Sequence, residues 1–299
     1  MKKKFMGFLL MLLAALGLAL ATILMKVIPQ MTELLPSHVV IWRFIFAALT
    51  FWMIMLIRRS GPEERKPIPI RFLILGLVFG VSGFSAVFAL NFLPSSIYII
   101  ILYIYPSLVV LYSLITGKSV PRLFWLGLPL TFVGLILTVF DFGSFLSIDP
   151  IGFFITILNA LAMVAYIILS ERYFGGGGSK RRGTRWMLTG ALIFSLFWIP
   201  VAGIRLPNSG LGWLLVISLG ILGTLVPLLS INIGLQLIGA ARGSVIVTLQ
   251  PVFTVLFSTI FLDETLSLQQ WLGGVVVVAA IVLLQLSADS KAIVTGKQV

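Results

Sequence analysis

The chain has 299 residues, of which 60% are hydrophobic and only 10% are charged. Soluble domains carry about 25% charged residues, so this composition excludes a soluble globular fold and implies a polytopic membrane protein. There is no cysteine for disulfide or thiolate chemistry, and the single histidine, His38, argues against a histidine-based metal site; the net charge of +12 fits lipid headgroups better than nucleic acid, given the apolar bulk.

The opening stretch, MKKKFMGFLLMLLAALGLALATIL (1–24), has the basic start and small residues of a signal peptide. Its apolar run of about 21 residues is nevertheless the length of a membrane span, and a retained first helix is expected. Apolar windows then follow in chain order, separated by charged or Pro/Gly punctuation, at roughly 39–57, 70–92, 95–116, 122–140, 150–172, 186–205, 211–237, 242–262 and 268–287. With the first at roughly 5–28, this predicts ten helices, because peptide groups in lipid must bond within their own segment. Placing the N-terminus inside leaves only Lys26, Arg43 and Arg205 of the 21 Lys and Arg on the outer half, and 18 on the cytoplasmic half. That asymmetry predicts both termini in the cytoplasm. FGGGGSKRRGTR (174–185) reads as a flexible cytoplasmic linker whose cations set topology and touch headgroups.

Shifting the chain by 145 residues places Pro106 on Pro251, Leu111 on Leu256, Ser113 on Ser258, Asn91 on Gln236, Tyr105 on Gln250 and Gly7 on Gly152. One further residue of slip places Trp125-Leu126-Gly127 on Trp271-Leu272-Gly273. The expected organisation is a first repeat, 1–141, a second repeat, 149–288, and a cytoplasmic tail, 289–299. Five spans per repeat is an odd number, so the second copy must insert upside down, the inverted topology of many secondary transporters. Lys118 at the end of the fourth span and Asp263-Glu264 at the end of the ninth fit that inversion.

LDETLSLQQWLGGVVVVAAIVLL (262–284), HVVIWRFIFAAL (38–49) and IGAARGSVIVTLQPVFTVLFSTIFL (238–262) together resemble the drug/metabolite transporter superfamily, in its EamA-like metabolite and amino-acid exporter branch. Asp263 and the segment Gly117-Lys118-Ser119 depart from the family's usual Gly-Glu turns. The resemblance implies an all-α integral membrane fold of ten helices in two inverted fives, with a central cavity between the halves. It also implies export of small metabolites, often amino acids, without fixing which.

Polar side chains at membrane depth are costly and mark pathways. The fourth span carries Tyr98, Tyr105 and Tyr112 at seven-residue spacing, one stripe of a continuous helix. Tyr98 and Tyr112 also suit interfacial anchoring; Tyr105 at mid-span does not. Pro106 and Pro251 remove a donor and displace the carbonyls of Leu102 and Val247, beside Tyr105 and Gln250. These are either packing kinks or a symmetric binding centre. Asn159, Met163, Tyr166 and Ser170 share a face of the sixth span, and Asn232 and Gln236 follow Pro227 in the eighth. Gly76, Gly80 and Gly83 suit a packing seam, and Thr22, Thr248 and Thr254 can bond back to their own helices.

The expected substrate set is Asn91, Tyr98, Tyr105, Asn159, Tyr166, Asn232, Gln236 and Gln250. Lys26 and Arg43 would draw a carboxylate to the outer mouth, and Pro106, Pro227 and Pro251 would let gating helices bend. No Asp or Glu falls inside a span, which argues against a midplane carboxylate relay. No catalytic set appears at that depth and no P-loop appears at all, so neither an enzyme nor an ATP-driven pump is expected. The expected partners are a small-molecule metabolite and membrane lipids, with no nucleic acid and no cofactor, in a monomer or homodimer. A flippase for a lipid, lipid-linked or phosphorylated substrate, and a non-transporting scaffold, are the alternatives.

Overall fold

The computed structural model describes residues 2–57, 69–90, 92–93, 98, 101–117, 124–139, 149–175, 180–262 and 267–280. The described chain is helical nearly throughout. The helices are α1 (Lys2–Met31), α2 (Pro36–Ile57), α3 (Ile70–Leu90), α4 (Tyr105–Ile115), α5 (Phe124–Val139), α6 (Pro150–Gly175) and α7 (Lys180–Phe197, continued by Ile199–Ala202). They are followed by α8 (Gly210–Ile238), α9 (Ala240–Phe261) and α10 (Leu268–Ala280). Among the described residues, seven of these are long and apolar enough to cross a membrane; α4, α5 and α10 are shorter apolar helices. The charged ends of the fourth and ninth expected spans, Lys118 and Asp263-Glu264, lie outside the described residues, as does the tail.

In two places the structure corrects the sequence reading. The cations of 180–185 are not linker: Lys180 opens α7, which is helical through Phe197. Aromatic faces hold this basic turn. The Arg185 guanidinium lies 4.9 Å from the Trp52 ring centroid and 5.4 Å from that of Trp186, and Trp52 Nε1 donates to Thr189 Oγ1 at 3.0 Å. The second correction concerns the tyrosine stripe, which is interrupted. Residues 103–104 form a turn ahead of Pro106, so Tyr98 and Tyr105 do not share one helical face.

The 145-residue offset recurs in the packing. α1 runs along α8, and α6 runs along α3. A Cβ at Gly7 would strike Leu237 and Ile238, and a Cβ at Gly152 would strike Phe92 and Leu93; 92 + 145 and 93 + 145 give 237 and 238. A second crossing follows suit. Gly76 of α3 abuts the backbone of Met187 and Gly190 in α7, and Gly220 of α8 abuts Arg43, Phe46 and Ala47 in α2. In lipid, small residues that let backbones meet replace the hydrophobic drive of a soluble core.

The helix breaks match as well. Ile104 N donates to Ile101 O at 3.2 Å and Leu108 N to Ile104 O at 3.2 Å. Adding 145, Leu249 N donates to Ile246 O at 3.1 Å and Phe253 N to Leu249 O at 3.0 Å. Each proline lacks the N–H its helix needs, and the turn before it tightens to three-residue bonds in compensation.

Replacing Gly76 or Gly220 with leucine is expected to destabilise the fold by about 1–3 kcal/mol through overpacking. Gly210→Ala, where a Cβ meets nothing within 4 Å, should leave the melting temperature in detergent nearly unchanged. Thermal unfolding of the three variants checks this.

Candidate functional site

A cavity of about 170 Å³ lies between α1, α2, α3, α6, α8, α9 and the segment leading into α4. It is bounded by the C-terminal halves of α1 and α3 and the N-terminal part of α2. Its walls are largely apolar, with Leu18, Met25, Phe44, Phe79, Met163 and Ile231 among them. Into this lining the helices place three polar groups of different chemistry.

The first links α3 and α6 to Tyr98. Ser82 Oγ donates to Asn159 Oδ1 at 2.7 Å, and Asn159 Nδ2 donates to the Tyr98 hydroxyl at 2.8 Å. The second joins the two helix breaks. The Tyr103 hydroxyl donates to Gln250 Oε1 at 2.9 Å, and Gln250 Nε2 reaches Thr22 Oγ1 at 3.4 Å. Thr22 and Thr254 line the same cavity while their hydroxyls bond back to Leu18 O and Gln250 O.

The third is Arg43, buried at 7% exposure. Its Nε donates to Thr224 Oγ1 at 2.6 Å, and one terminal nitrogen approaches Met25 Sδ at 3.7 Å. Thr224 sits in a π-helical turn, Ile221–Leu225, and its hydroxyl donates to Leu219 O at 3.0 Å. The wider turn precedes Pro227, which cannot bond the carbonyl of Gly223. Among the described residues, no carboxylate lies within ion-pair distance of Arg43, and no group accepts the Tyr98 hydroxyl proton. Among the described residues, the cavity therefore offers hydrogen-bond donors, one of them charged, and no anion to occupy them.

Of the residues expected from sequence, the cavity gathers Tyr98, Asn159, Gln250, Arg43 and Pro251. Asn232 and Gln236 line a second cavity, of about 250 Å³, with Arg181, Thr184, Met55 and Phe174. Asn232 Oδ1 there accepts from Tyr166 at 3.1 Å and from Ser170 at 2.7 Å, and Gln236 Nε2 donates to Asn232 O at 2.7 Å. Tyr166 and Tyr105 line neither cavity; both are fully packed, and the Tyr105 hydroxyl has no partner. Pro106 is buried in α4 and Pro227 in α8 against Gly17. Lys26 is exposed on α1, lining neither cavity. Asn91 lies outside the described residues.

Tyr103, Ser82 and Thr224 were not singled out in the sequence. The signal for Tyr103 was its place three residues ahead of Pro106; for Thr224, its place three residues ahead of Pro227. Ser82, between Gly80 and Gly83, carried none. Glu171 and His38 do other work: Glu171 Oε1 accepts from Ala240 N at 3.1 Å and caps α9, and the buried His38 Nδ1 accepts from Leu35 N at 3.3 Å.

The EamA-like transporter family model matches twice, over residues 5–140 and 150–286. The chain belongs to the EamA-like transporter family. The two matched segments of this transporter begin 145 residues apart (150 − 5). Relatives include the uncharacterized transporter YdfC of Bacillus subtilis, 24% identical over 82% of this chain and 80% of that protein. The uncharacterized inner membrane transporter YedA of Escherichia coli is 23% identical over 82% and 79%. A solved crystal structure shares the fold, with a TM-score of 0.78 at 20% identity, over 97% of this chain and 98% of that one. The protein is thus a multi-pass secondary transporter of the drug/metabolite superfamily that moves a small molecule across a membrane, and not an enzyme.

Asn159→Leu should cost about 1–3 kcal/mol, since it strands the buried hydroxyls of Ser82 and Tyr98. In a double-mutant cycle with Ser82→Ala the two losses should be less than additive, as measured by thermal unfolding in detergent.

Proposed function

We propose that this transporter exports a small neutral or zwitterionic metabolite bearing a carboxylate, an amino acid, from the cytoplasm by alternating access. The observation that carries this reading is Arg43: a buried guanidinium in the wall of a substrate-sized cavity, with no carboxylate partner among the described residues. An isolated charge out of water is expensive. An incoming carboxylate would relieve that cost and accept from both Arg43 and the Tyr98 hydroxyl. Gln250, Asn159 and Thr22 supply neutral donors and acceptors suited to the rest of a zwitterion. Asn232 and Gln236 would serve at the second cavity, and Lys26 would add positive potential near the mouth.

In this reading ten helices form two inverted five-helix repeats, 1–141 and 149–288, with both termini cytoplasmic. The matching breaks, the matching glycine contacts and the twofold family match support it. The cation distribution sets the orientation and puts the Arg43 cavity in the outer half and the Asn232 cavity in the inner half. The name of the Escherichia coli relative suits a cytoplasmic-membrane location.

Counterflow in proteoliposomes, with amino acids, nucleobases and phosphorylated sugars as competitors, tests the substrate class. Amino acids are expected to respond. A response confined to phosphorylated sugars, or none, would sink the proposal. Arg43→Gln should weaken half-saturation for the responding substrate by about 10–100-fold, the worth of hydrogen bonds to a charged group. Lys26→Gln should change it by less than about twofold, as an exposed charge does.

A further inference from the structure

The offset also makes a statement about residues that line neither cavity. Each position around the Arg43 cavity has a counterpart 145 residues away in the other half. Leu18 pairs with Met163 and Ala86 with Ile231, and these four face the cavity together. For other pairs the two halves differ. Thr22, Met25, Gln250 and Thr254 are partly exposed to the cavity, whereas their counterparts Ile167, Ser170, Tyr105 and Val109 are 0–1% exposed. Tyr103 lines the cavity at 5% exposure, and its counterpart, Thr248, at 4%, lines neither cavity. At the first four of these pairs one half is open where the other is shut.

The shut half contains polar groups that a permanent core would not choose. The Tyr105 hydroxyl is buried with no hydrogen-bond partner, although its counterpart Gln250 is bonded on both ends of its amide. A buried orphan hydroxyl is a standing cost in this state. Ser170 and Tyr166 end at Asn232, whose own residue borders the second cavity, so the packed layer adjoins open space.

We infer that Tyr105, Val109, Ile167, Ser170 and Thr248 form the cytoplasm-facing counterpart of the Arg43 cavity. It opens when the halves exchange conformations, and there the same carboxylate-bearing substrate meets the Tyr105, Ser170 and Thr248 hydroxyls. This rests on the inverted-repeat reading above. Its chemistry is neutral where the outer site is cationic, since Arg43 pairs with Leu188.

The absence of cysteine from the chain makes the test direct. Single variants Met25→Cys, Thr254→Cys, Ser170→Cys and Val109→Cys are labelled with a membrane-impermeant methanethiosulfonate, added to right-side-out or to inside-out vesicles. The first two should react faster from outside, and Ser170→Cys and Val109→Cys faster from the cytoplasmic side, each by at least about tenfold. Adding Tyr105→Phe to Val109→Cys removes the orphan hydroxyl, favours the present state and should slow cytoplasmic labelling. Tyr103→Cys and Thr248→Cys give a second pair should either inner variant fail to insert. Inner cysteines that stay unlabelled from both faces, or label from outside, in inserted protein overturn the inference. Labelling uses no substrate, so a failed amino-acid counterflow with this side preference intact rejects only the substrate assignment.

Discussion

A peptide group in hydrocarbon has nothing to bond except its own chain, and much of this architecture follows from that constraint. Regular helix satisfies it along most of the described backbone. The departures that border the cavity are few: the turns at 103–104 and 248–249 and the π-helical stretch at 221–225. Each precedes a proline, and each brings a residue of a wall network, Tyr103, Gln250 or Thr224, to bear on the cavity. Irregular backbone at this depth survives where side chains or a cavity take up what the helix gives away. The site stands where the helices fail to be helices.

Arg43 extends that logic from dipoles to a full charge. Its Nε is bonded to a hydroxyl that is itself anchored to the Leu219 carbonyl ahead of the π-turn, and its other side meets a polarisable sulfur. This orients the guanidinium without neutralising it. In the proposed reading such a group is held ready for a partner from outside the chain, as a buried salt bridge is not. The guanidinium carbon lies 5.7 Å from the centroid of the Phe44 ring, which meets Phe79 edge-on at 5.8 Å.

How far the sequence could be read depended on the kind of signal. Composition and hydropathy carried the membrane class, and the 145-residue match of Pro106 with Pro251 pointed to the twofold pattern seen in the packing. Tyr98, Asn159, Gln250 and Arg43 were legible as polar groups at depth. Their grouping was not, because the stripe argument assumed a continuous helix through Tyr98 and Tyr105 and the turn at 103–104 breaks it. Tyr103 was hidden for the same reason. Arg43 looked like a mouth residue by helical rise alone; only the crossing of α2 with α8 at Gly220 carries it against Thr224 and into the wall. The basic turn 180–185 read as linker since glycines precede it, but Trp52 and Trp186 supply surfaces on which it remains helical.

The lining of the Arg43 cavity has a consequence for leakage. It contains one cation, no carboxylate and a majority of apolar side chains. A cationic wall of this kind disfavours the entry of sodium ions and protons. The same charge that would draw in a carboxylate thus weighs against leakage of the ion gradients the membrane lives by.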